Sequence, residues 1–176
     1  MKKKIFYWEI SGMIFITLVG SFLHFLFQIS GYFLPVGAIS AVNESVWEHL
    51  KLGYWPLVFF GVIEYIYIRK ETKNFFFAKL ISALLIMVLI IVFFYGYTAI
   101  LGEDNLFLDI SIFVLSIVIA QLVSYKILTI PDFSKTLSYA SIAGIVILGI
   151  LFIIFTYFPP HFFLFQDSLT GMYGIS

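Results

Sequence analysis

The chain has 176 residues, 62% hydrophobic and only 11% charged, with a mean hydropathy of +1.07. A soluble domain is about half apolar and about a quarter charged, so this composition excludes a water-soluble globule and indicates an all-α, polytopic membrane protein with the lipid bilayer as its main partner. Ten basic and ten acidic residues cancel, which leaves no case for nucleic acid, and the lack of cysteine excludes disulfides, thiolate catalysis and Cys-ligated metals.

Met1-Lys2-Lys3-Lys4 is a basic head, followed by an apolar run over 5–29 that carries Glu9, His24 and Gln28. The run is longer than a signal-peptide core and no small-x-small cleavage site follows it, so a first membrane span is expected. Residues 31–42 contain Gly31, Pro35 and Gly37 and read as a loop, though one apolar enough to dip back into the membrane. Asn43 is a suitable N-cap for a second helix over 44–68, with Pro56 expected to kink it or free a carbonyl. A basic loop precedes a third span over 75–101, and an acidic turn precedes a fourth over 106–128. A fifth span over 136–158 stops at Pro159-Pro160. The tail, 159–176, is too apolar to float free and too rich in glycine to span, so it is expected to fold over the outer face.

Five spans starting inside put nine of the ten basic residues on the cytoplasmic side, with Lys51 alone outside. That asymmetry predicts a plasma-membrane protein with its N-terminus in and its C-terminus out.

This topology gathers polar residues at the outer end. His24 and Gln28 are four apart on the first helix; Asn43, Glu44, Trp47, Glu48, His49 and Lys51 open the second; His161 and Asp167 lie on the tail. A short connection makes the first two helices antiparallel neighbours, so their imidazoles and carboxylates can face each other. Three readings are open. In the first, His24, His49 and His161 with an acidic group hold a divalent metal such as zinc, although no recognised ligand spacing such as HExxH is present. In the second, Glu44 or Glu48 is a general base and His49 a proton carrier without metal. In the third the cluster is structural, with Glu48–Lys51 an ion pair and Asn43 a cap. Asn43, Gln28, Trp47, Lys51 and Asp167 are the candidate ligand-binding residues of a pocket closed by the tail. Elsewhere, Glu64 is expected to pair with Arg69 or Lys70, Glu9 to lie near Lys2–Lys4, and Gln121 to bond between helices.

The run Asn43-Glu44-Ser45-Val46-Trp47-Glu48-His49-Leu50-Lys51, with His24 before it and a closing Pro160-His161…Phe165-Gln166-Asp167…Thr170-Gly171-Met172-Tyr173-Gly174-Ile175, resembles a family of small prokaryotic membrane proteins of unknown function. The resemblance covers the whole chain and implies a prokaryotic membrane protein of this size, but no activity, substrate or cofactor. The expected function is therefore an outward-facing His/Glu pocket that binds or processes a small or lipid-linked ligand, with or without a metal. The alternative is a non-enzymatic transporter or accessory subunit. Whether the protein is an enzyme is left open at this stage.

Overall fold

The computed structural model describes residues 2–175, which form an all-α bundle of five long helices: α1 Lys2–Ile29, α2 Val46–Ile68, α3 Phe75–Leu101, α4 Leu106–Thr129 and α5 Lys135–Tyr157. Two short 3₁₀ turns, Leu34–Ala38 and Phe163–Phe165, sit in the α1–α2 connection and in the tail. Helices α1, α3, α4 and α5 are each long and apolar enough to cross a membrane. Helix α2 is not among these four. It carries Glu48, Lys51 and Glu64, and 13 of its 23 residues are buried, against four of 23 in α5. A helix held among its neighbours shows less of itself to lipid and tolerates more polar groups.

Local chemistry sets the helix ends. The N-cap of α2 is Ser45, not Asn43: its hydroxyl accepts from the Glu48 N–H at 3.4 Å. Asn43 instead accepts from the Ser45 N–H at 2.9 Å. Gly102 ends α3 in the left-handed region at φ 80°, where glycine has no Cβ to clash. Asn105 caps α4, accepting from the N–H groups of Phe107 and Leu108.

Pro56 does not interrupt α2, which runs through it. Its ring removes the N–H that would have bonded the Leu52 carbonyl one turn earlier. Helix α1 crosses α2 at this carbonyl on Gly20, where an added Cβ would collide with the Leu52 oxygen. A small residue thus lets the two backbones approach closely. His24 lies one turn beyond Gly20 on α1, and His49 one turn before Leu52 on α2. The close crossing brings the two imidazoles together.

The tail packs onto this end of the bundle. Phe165 inserts between Trp47 and Phe155, with ring centroids 4.8 and 5.5 Å away. Asn43 Nδ2 donates to the Gly174 carbonyl at 2.8 Å, and Ser168 Oγ to the Glu44 carbonyl at 3.2 Å.

The expected ion pair of Glu64 with Arg69 or Lys70 is replaced by another, which also takes in Glu9. Glu9 does not pair with the head lysines, nor Glu64 with Arg69 or Lys70; both bond Lys79 inside the bundle. In a low-dielectric interior a carboxylate gains more from a buried ammonium than from a hydrated one at the surface. Gln121 does bond between helices, accepting from Ser82 Oγ at 2.9 Å.

Candidate functional site

Three side chains converge on one point beside the α1–α2 connection. His24 Nε2 and His49 Nε2 are 3.1 Å apart. Glu44 Oε2 lies 3.4 Å from His49 Nε2 and 3.6 Å from His24 Nε2. The side chains are 27%, 33% and 38% exposed for His24, His49 and Glu44, so the tail does not seal the cluster. A ligand can reach it from the medium.

The backbone fixes one imidazole. His49 Nδ1 is 2.9 Å from the Ser45 carbonyl, which can only accept. Nδ1 therefore carries the hydrogen, and the neutral ring presents a bare lone pair at Nε2. The acceptor belongs to Ser45, the N-cap of α2, and His49 lies four residues on, so the ring's orientation is set by the start of the helix. His24 Nδ1 is buried and unpartnered.

His49 Nε2 and the ionised Glu44 oxygen meet as acceptors, and His24 Nε2 accepts or donates according to its tautomer. Beside the imidazoles of His24 and then His49, the Glu44 carboxyl is held well below the usual carboxylate range. A proton or a cation can occupy the point they share. For metal–donor bonds of ~2.0–2.1 Å, a tetrahedral site has donor–donor edges of ~3.3–3.4 Å. The triangle's sides, 3.1, 3.4 and 3.6 Å, bracket that edge. Two imidazoles and a carboxylate are donors that suit zinc and similar divalent ions, and three protein ligands leave a position open. The residues fit a metal, and the hydrogen bond from His49 Nδ1 to the Ser45 carbonyl is of the kind metal-binding histidines make.

The other expected site residues lie apart from this point. Glu48, one turn after Glu44, is 2% exposed and fully engaged. Its Oε2 pairs with Lys51 Nζ at 2.5 Å and accepts from the Val42 N–H at 3.0 Å, while Oε1 accepts from Thr156 Oγ1 at 2.9 Å. Lys51 also donates to the Gly37 carbonyl at 2.8 Å and to Thr156 at 2.7 Å. This knot ties the α1–α2 connection, α2 and α5 together. Thr156 completes it, and its only sequence signal was a hydroxyl in an otherwise apolar run.

Asn43 anchors the tail, as described, and Trp47 is buried against Phe152 and Phe165. Asp167 turns the tail by accepting from the N–H groups of Leu169 and Thr170. His161 is exposed and stacks on Tyr173 at 4.6 Å, away from the other two histidines. Gln28 is exposed, one turn beyond His24.

Among known proteins, residues 1–175 match the model of a family of unknown function, DUF6512. No curated protein and no solved structure matches.

Proposed function

The chain belongs to the family of unknown function DUF6512, and for this member we propose a divalent-metal centre of the zinc type, built by His24, Glu44 and His49. In this reading the protein is a five-span plasma-membrane protein, N-terminus inside and C-terminus outside, with the centre at its outer rim. There it binds or processes a small or lipid-linked ligand.

One observation carries the reading: the Nε2, Nε2 and Oε2 atoms form a triangle with edges near those of a tetrahedral metal site, on groups that stay partly exposed. The Lys/Arg asymmetry along the sequence supports the orientation. The His49 tautomer set by Ser45 leaves its Nε2 ready to ligate. With the ion bound, the open position can take water or a ligand oxygen, and zinc lowers the pKa of a bound water to about 7. The chain's own groups would then hold the ion and exclude other geometries; Ser168 fixes the Glu44 backbone from the tail side.

Elemental analysis of the detergent-purified protein tests this, beside His49→Ala and Glu44→Gln. The expected result is about one divalent ion per chain in the wild type and none in either variant. A wild type that takes up no zinc, cobalt, manganese or iron after incubation with each would overturn it.

One observation favours a second reading. A metal on His24 Nε2 requires a hydrogen on Nδ1, and that atom is buried without an acceptor. A metal-free site, with His24 Nε2–H donating to His49 Nε2 and Glu44, leaves a bare lone pair there instead. That reading is an acid–base relay in which an imidazole carries the proton and the Glu44 carboxylate holds it in place, and the same elemental analysis separates the two.

A further inference from the structure

The far end of α1 carries a second set of ionisable groups. Glu9 and His24 are fifteen residues apart on one helix, which at ~1.5 Å per residue places the two sets ~22 Å apart. Glu9 on α1, Glu64 on α2 and Lys79 on α3 are 1%, 0% and 3% exposed. Lys79 Nζ lies 2.9 Å from Glu9 Oε1 and 2.6 Å from Glu64 Oε2. From α4, Ser124 Oγ donates to Glu9 Oε1 at 2.8 Å.

The charges here do not balance. Two carboxyl groups face one ammonium, α4 contributes a neutral hydroxyl, and α5 faces Lys79 across a cavity with Ile142, Ile145 and Val146. Glu9 Oε2 and Glu64 Oε1 are buried without a hydrogen-bond partner among the described residues. Lys79 Nζ touches both carboxyl groups, which makes them close neighbours, and neither has a hydrogen to give when ionised. An unpaired charge buried in an apolar bundle costs several kcal/mol, and neutralisation by a proton removes that cost.

We propose that Glu9, Glu64 and Lys79 form a proton-binding site that holds one exchangeable proton between the two carboxyl groups. The bound proton gives one carboxyl an O–H to donate to the other, fills both orphan positions in turn, and makes the set neutral. The pair titrates as one unit, not as two independent groups. A cavity of about 270 Å³ between α2, α3 and α5, lined by Lys79 and Tyr65 among apolar side chains, borders the ammonium side of the set. This site is independent of the imidazole cluster and needs no metal.

Infrared spectroscopy of the purified protein in H₂O and D₂O reads the proton directly, through the C=O stretch of a protonated carboxyl. At neutral pH the wild type should show such a band, shifted in D₂O. Glu9→Gln and Glu64→Gln should each abolish it, because one remaining carboxylate balances Lys79. Lys79→Met should roughly double it, because both carboxyls must then be neutral. A wild type with no protonated-carboxyl band overturns the site without recourse to any variant. A band that survives in either glutamine variant overturns the sharing.

Discussion

Glu44 and Glu48 are four residues apart, yet the fold gives them opposite surroundings. Glu44 stays outside the helix, 38% exposed, with two imidazoles beside it. Glu48 enters the first turn of α2 and disappears into a knot with Lys51, Thr156 and the Val42 N–H. The two regions touch the same connection and do different work. The knot satisfies every polar atom of its carboxylate and so serves stability. The open cluster brings His24 Nε2, His49 Nε2 and Glu44 Oε2 together on partly exposed side chains, the arrangement on which the metal proposal rests. A carboxylate's role is set here by which partners reach it, and position along the chain gives little warning.

The largest expected effect lies in the knot. Glu48→Ala leaves Lys51 as a buried ammonium with only a hydroxyl and a carbonyl beside it. Removing one member of a buried pair costs about 3–5 kcal/mol, so this variant should unfold at a much lower temperature in detergent. The double variant Glu48→Gln/Lys51→Met, which removes both charges, should recover most of that loss. Comparable unfolding temperatures for Glu48→Ala and wild type would erase the contrast between the two regions.

The complementary change is Glu44→Ala. It should lower stability far less than Glu48→Ala, by about 1 kcal/mol at most, as is usual for a partly exposed ion pair. It should also weaken zinc binding by more than ~100-fold, read by titration against a competing chelator. Loss of stability with unchanged zinc affinity would invert the assignment of roles.

Proton release sharpens the same comparison. The folded-state pKa of Glu44 is depressed, chiefly by His24 and then His49. Its contribution to stability is therefore present above its ordinary carboxylate value and is lost as the pH falls through the depressed one. In between, that carboxylate pairs with any proton held on an imidazole of the metal-free cluster, and an imidazole ordinarily takes up its proton at mildly acid pH. An arriving metal must displace that proton. Zinc added at mildly acid pH should release about one proton per ion, and clearly less at alkaline pH. A pH-indicator dye in weak buffer measures this, and equal release at both pH values would count against the cluster as the binding point.

Much of this was legible in the sequence, for identifiable reasons. The bounds of α3 and α4 follow from Gly102 and Asn105, whose turn and cap chemistry is local. The meeting of His24 with Glu44 and His49 follows from one short connection between two apolar helices. The start of α2 was expected two residues early because Asn43 and Ser45 are both cap residues; the Ser45-x-x-Glu48 spacing is what separates them. The fate of Glu48 was not legible, since its deciding partner, Thr156, lies 108 residues away. The same holds for Glu9, Glu64 and Lys79, which come from three helices and meet only through packing. Nearby surface charges were the obvious partners in the sequence, and burial reassigned them.

The smallest effect concerns the tail that borders both regions. Asn43 holds it with one donor, Nδ2 to the Gly174 carbonyl, and holds the α2 cap with one acceptor, Oδ1 from the Ser45 N–H. Asn43→Ala removes both and should cost about 1–2 kcal/mol, at about 0.5–1 kcal/mol for each hydrogen bond. Asn43→Asp keeps the acceptor and loses the donor, so it should release the tail while sparing the cap. Hydrogen exchange at Tyr173 and Gly174 should then rise in both variants, while exchange at Ser45 rises only in the alanine variant. Zinc affinity should hold in the aspartate variant, because Glu44 and both imidazoles keep their places without the tail. If affinity falls together with tail protection, the tail is part of the binding site and the boundary between the two regions lies further out than Ser168.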